Sequence, residues 1–144
     1  MILSGEQATL DLGRRVAAML RPGDVIALSG PLGVGKTALA RGILEALGHS
    51  GEVPSPSFAI VQPYEELVPP VWHVDLFRIE DSSELGELGL EAAEEGVLLV
   101  EWSERAKSFV WPQALGLTLD FAEGGARRLT AEVPASWQGR WPPE

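Results

Sequence analysis

Residues 30–37 read Gly-Pro-Leu-Gly-Val-Gly-Lys-Thr, an octamer that fits G-x-x-x-x-G-K-[ST] without a mismatch. The six residues before it, Asp24-Val25-Ile26-Ala27-Leu28-Ser29, read as a buried strand. The segment after it, 36–47, reads as a helix ended by Gly48. Strand, glycine-rich turn and helix in that order leave few options for the backbone. Glycines admit conformations closed to other residues, so several N–H groups can turn inward together. The helix starting at Lys36 aims its unpaired N–H groups and positive dipole end at the same point. An anion is the natural occupant. For a nucleoside triphosphate the parts divide clearly. The backbone of Gly30, Leu32, Gly33, Val34 and Gly35, with Thr37 and Ala38 at the helix start, surrounds the phosphates. Lys36 supplies a flexible cation to the β- and γ-phosphates, and the Thr37 hydroxyl is a Mg²⁺ ligand. The rival reading is a glycine-rich turn that binds nothing, and the flanking strand and helix argue against it.

Composition narrows the setting. At 144 residues the chain is long enough for one domain with a real core. We place that domain at 1–134 and expect an irregular tail over 135–144, where Trp137 and Trp141 sit among prolines. Hydrophobic residues at 45% and charged residues at 22% exclude disorder and coiled coil for the whole chain. With no cysteine, disulfides and thiolate-held metals are excluded. The apolar runs fall far short of the ~20 residues that a membrane-spanning helix needs. The first residues, Met-Ile-Leu-Ser-Gly-Glu-Gln, have no basic region or long apolar stretch, so no secretory signal is expected. The expectation is a cytoplasmic protein with no membrane partner. Acids outnumber bases 21 to 11, for a net charge of −10, which makes the chain a poor stand-alone binder of nucleic acid.

The remaining elements suggest an α/β architecture. Met1–Leu3 reads as a short strand, and Ser4 with Gln7 as a capping box for a first helix carrying Leu12, Val16, Met19 and Leu20. Phe58–Tyr64, Val71–Asp75 and Val97–Glu101 read as strands, with one or two short helices over 80–95. Leu115–Phe121 and Arg128–Val133 alternate around Glu123-Gly124-Gly125 like an antiparallel hairpin. Together these predict a P-loop NTPase-like three-layer sandwich. Its sheet is mainly parallel, with helices on both faces and an antiparallel hairpin at the C-terminal end.

Two acids end apolar runs, Asp75 after Val71–Val74 and Glu101 after Val97–Val100. Ligands of open α/β sheets lie at the carboxyl ends of the strands, so both acids are candidates for catalysis and for the metal. The plain alternative for each is an exposed acid just past a strand. His73 shares a face with Asp75 and reads more readily as a packed, hydrogen-bonded histidine than as a catalytic one. Arg78 reads more readily as a surface ion-pair partner than as a phosphate contact. Ser55, Ser57 and Phe58 lie in a proline-fixed loop where triphosphatases often sense the γ-phosphate, with an ordinary turn as the rival.

Several of these segments together resemble one family, the TsaE (YjeE) ATPases of bacterial tRNA threonylcarbamoyladenosine biosynthesis. Thr9 with Leu12-Gly13 resembles T-x-x-L-G, and Gly30–Thr37 resembles G-D-L-G-A-G-K-T. Ser55-Pro56-Ser57-Phe58 with Tyr64 resembles S-P-T-F and a following tyrosine. His73-Val74-Asp75-Leu76-Phe77-Arg78 resembles H-x-D-L-Y-R, Gly89-Leu90-Glu91 a G-L-E stretch, and Glu101-Trp102 the E-W pair. The resemblance runs from about Ser4 to Val133.

It implies a Mg²⁺-dependent ATPase that works with a TsaB–TsaD pair. That pair modifies adenosine 37 of tRNAs reading codons that begin with A, so tRNA would be met only through the partners. On the same resemblance Lys36 and Thr37 hold phosphates and metal, and Asp75 and Glu101 share the acid's work. The same resemblance has Thr9 and Arg127 border the nucleotide, and His73, Arg78 and Trp102 stand as candidates for supporting roles. Pro31 stands where the family usually has Asp, Ser57 where it has Thr and Phe77 where it has Tyr. Three rival functions use the same octamer: a small P-loop kinase, a fragment of an AAA-type motor and a nucleotide-switched binding module. The kinase would want more arginines than Arg78 and Arg105 between Leu76 and Ser108, and the motor an Asp-Glu pair in place of Glu101-Trp102.

Overall fold

The strand that leads into the octamer lies at the middle of a sheet. The computed structural model describes residues 1–31, 33–51, 53, 61–76, 95–101 and 111–143. Among these, seven strands form one sheet: β1 (Ile2–Leu3), β2 (Val25–Ser29), β3 (Val61–Tyr64), β4 (Val71–Asp75), β5 (Val97–Glu101), β6 (Ala114–Phe121) and β7 (Arg127–Glu132). Their order is β1-β7-β6-β2-β5-β4-β3. The inner four, β6, β2, β5 and β4, run parallel. The outer strands β1, β7 and β3 pair antiparallel.

This pattern explains the two kinds of strand sequence. Inner parallel strands are covered on both faces and read as unbroken apolar runs, and every residue of β5 is buried. Nearer the edge, β6 alternates, with Leu115, Leu117 and Leu119 turned inward. The predicted C-terminal hairpin is β6–β7, joined by a short 3₁₀ turn at Glu123–Gly125.

Two helices cover one face, α1 (Glu6–Ala17) and α2 (Lys36–Ala46). They meet backbone to backbone at two glycines. A Cβ on Gly13 would lie 2.5 Å from the Leu39 carbonyl oxygen of α2, and one on Gly42 would run into the Leu10 carbonyl oxygen of α1. The predicted capping box does not form. α1 begins after Gly5, one residue later than the box requires, and no side chain caps it. The first turn is instead secured from within, because the Thr9 amide and hydroxyl both donate to the Gly5 carbonyl at 3.1 and 3.2 Å. Leu12, Val16, Leu39 and Ile43 pack with Ile26, Leu28, Leu99 and Leu117 of the sheet. The opposite face gathers Val25, Val74, Leu76, Leu98 and Val100, with Trp72 and Trp111 half-buried against them. The helices expected over 80–95 lie outside the described residues, apart from Glu95.

The tail, expected to be irregular, packs onto the domain. A 3₁₀ turn at Ala135–Trp137 puts the Trp137 indole into the core on the helical face, fully buried. Arg140 lies over that ring at 3.9 Å and grips Asp24 with both guanidinium arms, at 2.8 and 3.0 Å. It also donates to the Met19 carbonyl at the end of α1, at 2.8 Å. Among the described residues no helix is long and apolar enough to cross a membrane.

The glycine contact between the helices yields a test. Gly42→Ala adds helix propensity of ~1 kcal/mol, but it forces the two backbones apart, an overpacking cost of ~1–3 kcal/mol. With rigid backbone on the other side the clash should win. The expected result is a lower melting temperature by calorimetry.

Candidate phosphate-binding site

The octamer forms the turn between β2 and α2, at the carboxyl end of the parallel strands. Two glycines are required by its path. Gly30 has φ 139°, with the Leu119 carbonyl of β6 against the position of a Cβ. Gly35, the residue before α2, has φ 118°. Among the described residues no side chain caps α2, so its first N–H groups face the loop. Lys36 is buried, and its ammonium folds back to donate to the carbonyls of Gly30 and Pro31.

Parallel register brings the two predicted acids together. Asp75 of β4 stands opposite Glu101 of β5, and Glu101 stands opposite Leu28 of β2, just before the loop. Both acids are buried. The Thr37 hydroxyl donates to the Glu101 carboxylate, 3.2 Å from one oxygen and 3.3 Å from the other. His73, fully buried, lies 2.5 Å from the same carboxylate through Nε2.

Beside the loop is a cavity of about 230 Å³, lined by Gly5, Glu6, Thr9, Gly33, Val34, Gly35, Ala38 and Arg127. Arg127 reaches across from β7 and donates through Nε to the Val34 carbonyl at 2.8 Å. Its other arm bonds the Gly125 carbonyl, and its guanidinium lies over the Phe121 ring at 4.7 Å. At the rim, Glu6 pairs with Arg41 at 2.6 Å, tying α1 to α2.

The structure therefore gathers Thr9, Gly30, Gly33, Val34, Gly35, Lys36, Thr37, Ala38, Arg127, Asp75, Glu101 and His73 around one loop. Leu32, Ser55, Ser57, Phe58, Arg78 and Trp102 lie outside the described residues. Tyr64 stands apart from the loop, edge-on to His49 at 4.8 Å. Burial, with Glu66 adding to it, pushes its phenol pKa upward. Two lining residues, Gly5 and Glu6, had no sequence signal of their own, and the flanking Phe121 was not singled out. Gly5 and Glu6 come from the start of α1, far from the octamer in sequence. Phe121 could have been suspected as an aromatic ending an alternating strand.

The donor set suits a hard cation. One hydroxyl and neighbouring carboxylates are oxygen ligands of the kind Mg²⁺ takes, and Mg²⁺ usually relies on phosphates and water for its other positions. Among the described residues no three His, Asp or Glu side chains converge into a protein-only cage. The loop and the helix N-terminus fit a polyphosphate for the reasons its glycines and N–H groups already dictate.

A central parallel strand, a glycine loop, a helix and a carboxylate from the next strand facing the helix's hydroxyl define a P-loop NTPase-like fold. A crystal structure from Bacillus, titled "Crystal structure of Bacillus subtilus YdiB", shares that fold. It superposes with a TM-score of 0.77 over 91% of this chain and 82% of that one, at 29% identity. The family model described as "Threonylcarbamoyl adenosine biosynthesis protein TsaE" matches residues 3–129, and the chain belongs to that family. It is 39% identical to the tRNA threonylcarbamoyladenosine biosynthesis protein TsaE of Streptomyces coelicolor, over 91% of this chain and 92% of that protein. With the Bacillus subtilis protein of the same description it shares 36% identity, over 86% of this chain and 78% of the other.

Arg127 offers a test that needs no ligand. In Arg127→Ala the Val34 carbonyl loses its charged donor. Amide exchange at residues 33–35 should then quicken by about tenfold, the equivalent of ~1.4 kcal/mol of local protection. Amides of β2 and β5 should be unaffected. Hydrogen exchange read by mass spectrometry or NMR measures both.

Proposed function

We propose that this chain binds ATP with Mg²⁺ at the β2–α2 loop and hydrolyses it. That hydrolysis would serve the formation of threonylcarbamoyladenosine at position 37 of tRNAs reading codons that begin with A, together with TsaB and TsaD, in the cytoplasm. The observation that carries the ATPase reading is the contact of the Thr37 hydroxyl with Glu101. It joins the first turn of the loop's helix to an acid on the adjacent parallel strand. The relatives' shared description supports the tRNA pathway. The net charge of −10 supports an indirect route to tRNA, through partners.

The residues divide the work. Backbone N–H groups from Gly33 to Thr37 hold the phosphates, and Lys36 exchanges its loop carbonyls for phosphate oxygens. A bound Mg²⁺ would supply positive charge to offset that of the phosphates. Thr37 and Glu101 would hold it, with Asp75 beside them. Glu101 and Asp75 are also the acids placed to orient a water toward the terminal phosphate. Gly5, Thr9 and Arg127 wall the cavity next to the loop, where the nucleoside end would leave the phosphates.

The deciding experiment is ATP hydrolysis by the purified chain with Mg²⁺, alone and with TsaB and TsaD from the same organism. Stimulation by the pair is the expected result. Phosphorylation of a small-molecule acceptor without stimulation would overturn the reading in favour of a kinase. Lys36→Ala should abolish nucleotide binding in a chain that still folds by circular dichroism, with a somewhat lower melting temperature because the Gly30 and Pro31 carbonyls lose their donor. Glu101→Gln should keep metal-free nucleotide binding and lose turnover by about a hundredfold or more.

A further inference from the structure

We propose that His73 is a positioning residue for Glu101, fixing the carboxylate in the one orientation that faces Thr37. The inference rests on the reading of Glu101 as the acid of the metal side. His73 sits in the middle of β4 at a site where an aliphatic residue would be expected. Its register partner is Leu99, its sequence neighbours are Trp72 and Val74, and it is fully buried. A polar ring at such a site costs stability unless it is bonded. Its ring meets Glu101 through Nε2, at 2.5 Å, short in the manner of charge-assisted bonds.

The direction of that bond follows from the chemistry. A carboxylate can only accept, so Nε2 carries the proton and donates it to Oε2. Nδ1 is buried and has no hydrogen-bond partner among the described residues. A histidine kept only to stabilise the core would be expected to satisfy both nitrogens. Among the described residues this ring leaves one unpartnered while holding the carboxylate with the other. The consequence falls on Glu101, a side chain with three rotatable bonds. With Oε2 tied to His73 and both oxygens near the Thr37 hydroxyl, the carboxylate cannot swing away from the helix. Partners of this kind, which orient a ligand without touching the metal, are typically worth 10–100-fold in metal affinity or activity.

The test separates positioning from packing by comparing His73→Leu, His73→Asn and His73→Gln. Leucine fills the space without a donor. Asparagine keeps an amide near Nδ1 but falls short of Glu101. Glutamine carries an amide N–H to about where Nε2 stands. Binding of a fluorescent ATP analogue is titrated with Mg²⁺, alongside turnover and thermal melting. His73→Leu and His73→Asn should raise the half-saturating Mg²⁺ concentration and lower turnover, each by about tenfold or more. Metal-free analogue binding should stay within about twofold, and His73→Gln should recover most of the loss.

Nitrogen-15 shifts of the metal-free wild-type ring should place the proton on Nε2. Folded Leu and Asn variants with wild-type Mg²⁺ dependence, a folded Gln variant as deficient as Asn, or a proton on Nδ1 would each overturn the proposal. If the Leu variant fails to fold, the Asn–Gln comparison decides alone. Glu101→Gln runs in the same titration. If it leaves the Mg²⁺ dependence untouched, the reading of Glu101 falls and the proposal with it. If it shifts the dependence while His73→Asn does not, only the positioning role falls.

Discussion

The two helices touch backbone to backbone, and the site's geometry follows from that contact. Gly13 on α1 and Gly42 on α2 remove the side chains that would hold the helices apart. From Gly13, one turn of α1 leads back to Thr9, and from Gly42, two turns of α2 lead back to Gly35. Each step is 1.5 Å of rise, so a displacement at the crossing reaches the site undiminished within ~10 Å. Thr9 and Gly35 are two walls of the same cavity, and the Glu6–Arg41 pair ties them at the rim. Wider helix spacing would part those walls even with the octamer intact.

The second constraint is the parallel register of β2, β5 and β4. Side chains opposite one another in parallel strands point to the same face, and Asp75, Glu101 and His73 all end on the face that α2 covers. No local feature of its sequence brings Glu101 to Thr37. The sheet does so, by ending three apolar runs at one level. The burial of all three groups is then unsurprising, because they occupy positions that the core has already enclosed.

How much of this was readable in the sequence depends on how local the signal is. β2, the loop and α2 were readable because one octamer dictates the turn and its flanks. β5 and β4 were readable because buried parallel strands are unbroken apolar runs, and the β6–β7 hairpin because half-buried strands alternate. Strand order was not readable, nor was the pairing of β1 with β7, whose partners Ile2 and Arg128 lie at opposite ends of the chain. The cap on α1 was misread by one residue, and Ser4 lost its role with it. In the site, Lys36 and Thr37 carry their own motif, and Asp75 and Glu101 were inferred from strand ends. Arg127 was reached only through the family resemblance. Gly5 and Glu6 could not be found from sequence, since their nearness to the loop is produced by the helix crossing.

The ends of the chain have a bearing on how the protein comes to be made. The Met1 amine and carbonyl bond to Leu129, and the core on the helical face includes the indole of Trp137. A chain emerging from the ribosome can form α1, α2 and the β2 loop early, because their contacts are close in sequence. The sheet's edge and the floor of its core must wait for β7 and Trp137. Such long-range closure is slow, and until it happens apolar faces of β6 and α1 stay uncovered. Synthesis therefore presents the residues of the phosphate loop before β7 and the Trp137 indole, which complete the sheet and the core around it.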